Sequence, residues 1–205
     1  MTIGENWVRI ISEVHRLSAS FVLGYHGCDK DTAEALLAGE AFKPSDNLYD
    51  WLGPGIYFWQ SNPDRALAFA NEKKRRAKGS WDEAVVGAVI DMGLCLDLTT
   101  AAGAAELRSA HGALTQILQQ SEGEYPVNEP GRPKLDCAVI RSLHDIRKNS
   151  DQPSIDTVLG IFFEGQPIYP NSYFYEKTHV QICVCNPSQI KGVFRVGRPN
   201  NGSLV

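Results

Sequence analysis

Residues 43–59 read KPSDNLYDWLGPGIYFW, and the composition of this stretch changes along its length. The segment 43–55 is rich in Pro, Ser, Asp, Asn and Gly, which are the residues of turns and exposed loops. The segment 56–59 is apolar and aromatic, as in a strand. The sequence therefore predicts an exposed loop that ends on a buried strand, and loops in such positions often carry functional residues.

The sequence on either side of this stretch predicts regular structure. On the N-terminal side, residues 21–25 have the pattern of a short apolar strand, and after it Asp31 or Thr32 can cap a helix that runs to Gly39. On the C-terminal side, Asn62 and Pro63 have the pattern of an N-cap followed by a proline in the first turn. The helix that begins there ends in the basic run 73–76. We interpret this run as a solvated helix end, and the alternative is a patch that contacts the phosphates of a nucleic-acid acceptor.

The rest of the chain mixes strands and helices without regular β-α-β order. The predicted elements are a lead-in helix at about 5–18, two strands within 84–98, helices at 101–120 and 135–147, and strands at 157–163, 168–169, 180–185 and 189–196. This order predicts a single α+β domain over residues 1–205 with largely antiparallel sheets. No dinucleotide-binding or P-loop fingerprint occurs, so a doubly wound nucleotide fold is not expected.

The composition limits the classes of function. The chain has 205 residues, 43% of them apolar, and a formal net charge of -4, so no overall basic charge favours nucleic acid or anionic lipid as a partner. No apolar run approaches the length of a membrane-spanning helix, and the N-terminus does not resemble a signal peptide. The five cysteines are scattered and have no zinc-binding spacing. We therefore expect a cytoplasmic protein with reduced thiols, no metal and no membrane partner.

Three short segments have an order and spacing that point to a known family. They are Tyr25-His26-Gly27 at a strand end, Leu52-Gly-Pro-Gly-Ile-Tyr-Phe58, and Thr178-His-Val-Gln-Ile-Cys-Val184. Together they resemble the catalytic core of the ADP-ribosyltransferase superfamily, in its poly(ADP-ribose) polymerase-like and diphtheria-toxin-like branch. That branch has a His-Tyr-Glu triad around NAD. The resemblance covers residues 26–69 and 181–194, and it implies split antiparallel β-sheets with flanking helices.

The resemblance assigns roles to individual residues. It implies that His26 hydrogen-bonds the adenosine-side ribose of NAD, that Gly27 contacts the nicotinamide amide through its backbone, and that Tyr57 stacks on the nicotinamide ring. Phe69 takes roughly the place of a second stacking aromatic. The loop 46–51 is a candidate lid over the nicotinamide side, with Asn47, Asp50 and Trp51 as contacts, and the alternative is a polar loop with a packed tryptophan.

Gln181 departs from the family pattern, because the catalytic glutamate would stand at this position. An amide can hydrogen-bond a ribose, but it can neither deprotonate an acceptor nor supply a full negative charge. Glu176, upstream of the strand, is a candidate surrogate carboxylate. We therefore do not expect the protein to build ADP-ribose chains. We expect transfer of a single ADP-ribosyl group, hydrolysis of NAD, or binding alone.

These observations predict an NAD-dependent mono-ADP-ribosyltransferase, with NAD as its substrate and no metal. The expected acceptor is an intracellular macromolecule, either protein or nucleic acid, and a role as a toxin or defence effector would bring an inhibitor protein as a further partner. The alternatives are a catalytically silent NAD- or ADP-ribose-binding module, an NAD glycohydrolase, and an RNA 2'-phosphotransferase. Each residue also has a simpler interpretation: His26 as an interior histidine, Tyr57 and Phe69 as core aromatics, and Gln181 as a solvated strand position.

Overall fold

The structure, a computed structural model, describes residues 20–197. These residues form an α+β fold in which helices pack against the faces of a seven-stranded mixed sheet. The strands are β1 (Phe21–Asp29), β2 (Ile56–Gln60), β3 (Glu83–Asp91), β4 (Cys95–Asp97), β5 (Asn128–Glu129), β6 (Arg132–Pro133), β7 (Thr157–Phe162), β8 (His179–Val184) and β9 (Ile190–Arg195). The helices are α1 (Lys30–Leu37), α2 (Pro63–Ala77), α3 (Ala101–Gln120) and α4 (Lys134–Asn149). The lead-in helix predicted at about 5–18 lies outside the described residues.

The strand order in the sheet is β4-β7-β8-β2-β1-β3-β9, and β5 and β6 form a separate hairpin. All neighbours in the large sheet are antiparallel except β4 and β7, which are parallel. The prediction of largely antiparallel pairing is confirmed. The strands form one continuous sheet, and its two halves are connected by only a short ladder. This is the β1–β2 ladder, which contains only the pairs Gly24↔Gln60 and Tyr25↔Trp59.

Side-chain caps explain where α1 and α2 begin. The Asn62 side chain accepts a hydrogen bond from the backbone N–H of Arg65, and Pro63 follows it in the first turn of α2, as predicted. For α1, the cap is Asp29, which accepts from the backbone N–H of Thr32, so the predicted cap at Asp31 or Thr32 is wrong. The difference arises because β1 continues to Asp29 instead of ending near Tyr25.

One predicted strand is absent. Residues 168–169 lie in the long loop between β7 and β8, where the only bridge pairs Pro167 with Tyr175. Ile168 and Tyr169 are both more than half exposed, so they have no sheet to bury their side chains. An apolar pair between prolines is too short a signal to define a strand.

The core lies on both faces of the sheet. The His26 face, defined by His26, Phe58 and Ile182, packs against α1 and the loop that follows it. The Tyr57 face, defined by Tyr57, Trp59, Gln181 and Cys183, packs against α2 on one half and against α3 and α4 on the other. Among the described residues, no helix is long and apolar enough to cross a membrane.

Candidate functional site

The candidate site lies where β1 and β2 separate. We call this place the β1–β2 split, with residues 26–29 of β1 on one side and residues 56–58 of β2 on the other. Strand β8 pairs with the other edge of β2, in the register Tyr57↔Cys183 and Trp59↔Gln181. The three segments singled out in the sequence thus lie on three adjacent strands, β1, β2 and β8.

His26 bridges the split from the His26 face. Its Nδ1 donates a hydrogen bond to the Tyr57 carbonyl oxygen at 2.9 Å, and its ring packs edge-on against Phe42 and against Phe58. Burial lowers the pKa of His26 below its usual value, the hydrogen bond to Tyr57 opposes this, and the charge of Lys73 lowers it further. The imidazole is therefore neutral at pH 7 with its proton on Nδ1, which leaves Nε2 as a hydrogen-bond acceptor.

Gly27 is fixed by helix packing. A Cβ atom at this position would lie 2.0 Å from the Ala66 carbonyl oxygen and 3.3 Å from the Ala70 Cβ, both on α2. Helix α2 can approach β1 this closely only because residue 27 has no side chain. Contact with a ligand is therefore not needed to explain why glycine occupies this position.

Tyr57 projects to the opposite face from His26, because side chains alternate along a strand. Its hydroxyl donates to the Gly53 carbonyl oxygen at 2.7 Å and accepts from the Leu52 N–H at 3.0 Å. Burial raises its pKa far above the usual range. The phenol thus anchors the turn that begins the LGPG segment, and its ring packs against the core cluster that contains Leu52 and Cys183.

Gln181 is paired with the loop predicted as a lid. The indole Nε1 of Trp51 donates to Gln181 Oε1 at 2.6 Å, and the Trp51 ring lies 4.9 Å from that of Phe162. Gly160 leaves room for the indole, since a Cβ atom there would lie 2.9 Å from Trp51 Cη2. Trp51 therefore lies over the site, whereas Asn47 and Asp50 hydrogen-bond to each other within the loop.

The other two predicted residues, Phe69 and Glu176, do not hydrogen-bond Gln181. The Phe69 ring packs at 4.8 Å from the buried Trp59, which pairs with Gln181 across β2 and β8, and the Arg76 guanidinium lies over the Phe69 ring at 5.9 Å. Glu176 is exposed in the loop between β7 and β8, where its carboxylate accepts from the Gln166 backbone N–H. The structure therefore joins Trp51 to Gln181, places Tyr57 on the same face of the adjacent strand β2, and shows no hydrogen bond between the Glu176 carboxylate and Gln181.

A cluster of polar side chains lies beside Trp59, and the sequence patterns did not predict it. Arg65 is 9% exposed, forms an ion pair with Glu164 at 2.5 Å and lies over the Trp59 ring at 5.7 Å. His179, 5% exposed, packs against the same indole and donates from Nδ1 to the Lys177 carbonyl oxygen at 2.6 Å. In the sequence, the one sign of this cluster is an arginine on the buried side of α2. Its partner Glu164 lies 99 positions away, so no local pattern connects the two residues.

Two cavities flank the loop 43–55 and not the split. One, of about 460 Å³, is lined by Pro54, Gly55, His144 and Cys185 among others, and the second, of about 430 Å³, lies beside Leu48 and Tyr125. Neither includes His26, Tyr57 or Gln181. Among residues 20–197, no group of three or more His, Cys, Asp or Glu side chains is arranged to bind a metal ion.

No protein-family model, no curated protein and no solved structure matches the chain.

The histidines His26 and His179 make the stability of the fold sensitive to pH. Burial is the main cause that lowers the pKa of both His26 and His179, and the positive charge of Arg65 also lowers that of His179, against Glu164 and Glu72. The unfolded chain binds more protons than the folded one below the ordinary histidine pKa, so stability is complete above about pH 6.5 and is lost as the pH falls. Denaturant unfolding at pH 7.5 and pH 5.5 should show this loss.

A matched pair of variants assigns the pH effect. His179→Gln removes one buried imidazole and should reduce the loss of stability between pH 7.5 and pH 5.5. His111→Gln changes an exposed histidine and should leave this loss unchanged. A dependence that is identical in all three proteins would contradict the account.

Proposed function

We propose that the protein binds NAD at the β1–β2 split and transfers a single ADP-ribosyl group to a macromolecular acceptor, protein or nucleic acid. We further propose that its sheet is that of the ADP-ribosyltransferase fold. The observation that carries the proposal is the convergence of the three motif segments on the adjacent strands β1, β2 and β8. The short β1–β2 ladder supports the split-sheet interpretation, since its last pair, Tyr25↔Trp59, lies one position from His26 and two positions from Tyr57.

The two faces of the sheet offer different chemistry to the two halves of NAD. On one face, neutral His26 has an acceptor nitrogen suited to a ribose hydroxyl. On the other, Tyr57 and Gln181 lie on neighbouring strands, and Trp51 hydrogen-bonds Gln181. An extended dinucleotide that crosses the split meets both sets of groups. The charge of Lys73, which acts on His26, favours the anionic pyrophosphate between them.

The amide of Gln181 restricts which reactions the site can catalyse. Its Oε1 already accepts from Trp51, so its amide NH₂ is the group left to donate to the nicotinamide ribose. Breaking the glycosidic bond releases neutral nicotinamide and leaves positive charge on the ribose, which a neutral amide stabilises less than a carboxylate does. Gln181 cannot accept a proton from an attacking hydroxyl. This combination favours single transfer to a reactive acceptor over chain growth.

A second candidate function is a binding module for NAD or ADP-ribose without catalysis. The observation that favours it is that no carboxylate among residues 20–197 hydrogen-bonds Gln181, since Glu176 hydrogen-bonds its own loop. Both functions use the same groups for binding and differ only in whether the glycosidic bond breaks.

Incubation with NAD separates these functions. The protein would be mixed with NAD labelled in its adenosine part and with a cell extract, and free nicotinamide and macromolecule-bound label would be measured separately. Nicotinamide release together with bound label is the expected result. Release without bound label indicates a glycohydrolase, binding without release indicates the module, and neither binding nor release would contradict both proposals.

The role of His26 gives a specific expectation for NAD affinity. His26→Asn keeps an N–H donor for the Tyr57 carbonyl but removes the acceptor at Nε2. We expect the affinity for NAD, measured by calorimetry, to fall about 10- to 100-fold, the effect of losing one hydrogen bond and leaving its partner unpaired. His111→Asn, at an exposed histidine, is the control. Unchanged affinity in folded His26→Asn would remove His26 from the site.

A further inference from the structure

A cysteine and a histidine lie side by side in the lining of the cavity of about 460 Å³. Cys185 directly follows β8, His144 lies on α4, and Ser45, Asp46 and Pro54 of the loop also line the cavity. Both side chains are half-buried and line the cavity. The Cys185 Sγ and His144 Nε2 are 3.8 Å apart, within the range of a hydrogen bond to sulfur.

Both residues are held by rigid structure. The backbone N–H of Cys185 donates to the Asp156 carbonyl oxygen at 2.9 Å, which fixes the chain at the end of the sheet. The neighbour of His144 on α4, Leu143, is buried in the core cluster that also contains Cys183. The packing of α4 against the sheet therefore fixes the position of the Cys185 sulfur relative to the His144 imidazole.

The surrounding groups favour the thiolate. The neighbouring Cys183 side chain is the largest cause that lowers the pKa of Cys185, to about 6, and burial opposes it. The His144 imidazole lowers this pKa further, and the charge of Asp156 raises it. From the loop, Asp46 faces the cavity but forms an ion pair with Arg141. At Cys95, on β4, burial and nearby negative charge raise the pKa.

We propose that Cys185 and His144 form a nucleophilic pair, and that the cavity is a site at which hydroperoxides oxidise Cys185 to a sulfenic acid. The Cys185 sulfur attacks the terminal oxygen of the peroxide, an S–O bond forms and the O–O bond breaks. The sulfur loses two electrons, the peroxide gains them, and the proton that left the thiol passes through His144 to the departing oxygen. A thiol and hydrogen peroxide thus give a sulfenic acid and water. This site is separate from the proposed NAD site and does not depend on it.

The cysteines of the same molecule provide internal controls. The purified, reduced chain would be exposed to hydrogen peroxide at pH 7 in the presence of dimedone, which traps sulfenic acids, and the adducts would be located by peptide mass spectrometry. We expect Cys185 to react at least about tenfold faster than Cys95 or Cys28, because burial raises the pKa of both of these thiols. Equal rates at the three cysteines would overturn the proposal.

His144→Gln tests the pair itself. It removes the proton carrier, so the oxidation rate of Cys185 at pH 6.5 should fall about tenfold, and the midpoint of its pH profile should rise by about one unit. His111→Gln is the matched control and should change neither. A rate and a midpoint that stay as in the parent would overturn the role of His144. If His144→Gln does not fold, the pH profile of Cys185 oxidation in the parent protein is the test. A midpoint of this profile near the pKa of an ordinary cysteine would contradict the proposal.

Discussion

Gly27→Ala is expected to lower the free energy of unfolding by about 3 kcal/mol, the upper end of the usual cost of overpacking a tight core. The new Cβ would lie 2.0 Å from the Ala66 carbonyl oxygen, which is a backbone atom and cannot rotate away. Helix α2 would have to move off β1, together with Arg65 and Phe69. Denaturant unfolding followed by circular dichroism measures the loss.

Gly192→Ala on β9 is the matched control, because a Cβ there meets nothing within 4 Å. Both changes replace glycine by alanine in a strand and restrict the unfolded chain to a similar degree, so the difference between them isolates the contact with α2. We expect Gly192→Ala to change stability by no more than about 0.5 kcal/mol. Equal unfolding midpoints for the two variants would mean that α2 does not pack on Gly27 as described.

The substitutions at Gln181 are expected to have the largest effects on activity. Gln181→Ala should lower nicotinamide release about 10- to 100-fold, because it removes the amide that orients the ribose as the glycosidic bond breaks. Gln181→Glu should raise release about tenfold, because it places a negative charge beside the developing positive charge. A glutamate also keeps an oxygen to accept from Trp51 Nε1, so the fold around it is retained.

Glu176→Gln is the control for these variants. Its carboxylate bonds the Gln166 backbone N–H at 3.3 Å, and an amide oxygen can accept the same bond. We expect its rate of nicotinamide release to remain within about twofold of the parent. A larger loss in Glu176→Gln than in Gln181→Ala would make Glu176 the surrogate carboxylate that the sequence suggested.

The local parts of the fold could be predicted from the sequence. Asn62 and Pro63 mark the start of α2 through contacts within a few residues, and the apolar segment 56–59 marks β2. The α+β class also followed from the order of the elements. The sequence did not reveal that β1 extends to Asp29, because its extra pairs depend on β3, and residues 168–169 were wrongly predicted as a strand because an apolar pair has no sheet neighbour there.

The candidate site was predictable only in part. The motifs placed His26, Tyr57 and Gln181 in the same region, and the sheet brings their strands together. Their partners could not be predicted, because Trp51 and Gln181 are separated by 130 positions, and Arg65 and Glu164 by 99. Cys185 and His144, 41 positions apart, carry no shared motif either. Contacts of this kind depend on the packing of whole elements, which local patterns do not encode.

Hydrogen–deuterium exchange of the full chain with and without NAD tests the central claim, that NAD binds at the β1–β2 split. The account predicts slower exchange on both sides of the split and on β8, in peptides that cover residues 25–29, 51–59 and 179–184, and no change in β5, β6 or α3. No protection at saturating NAD, or protection confined to peptides around His144 and away from β1, would contradict the account.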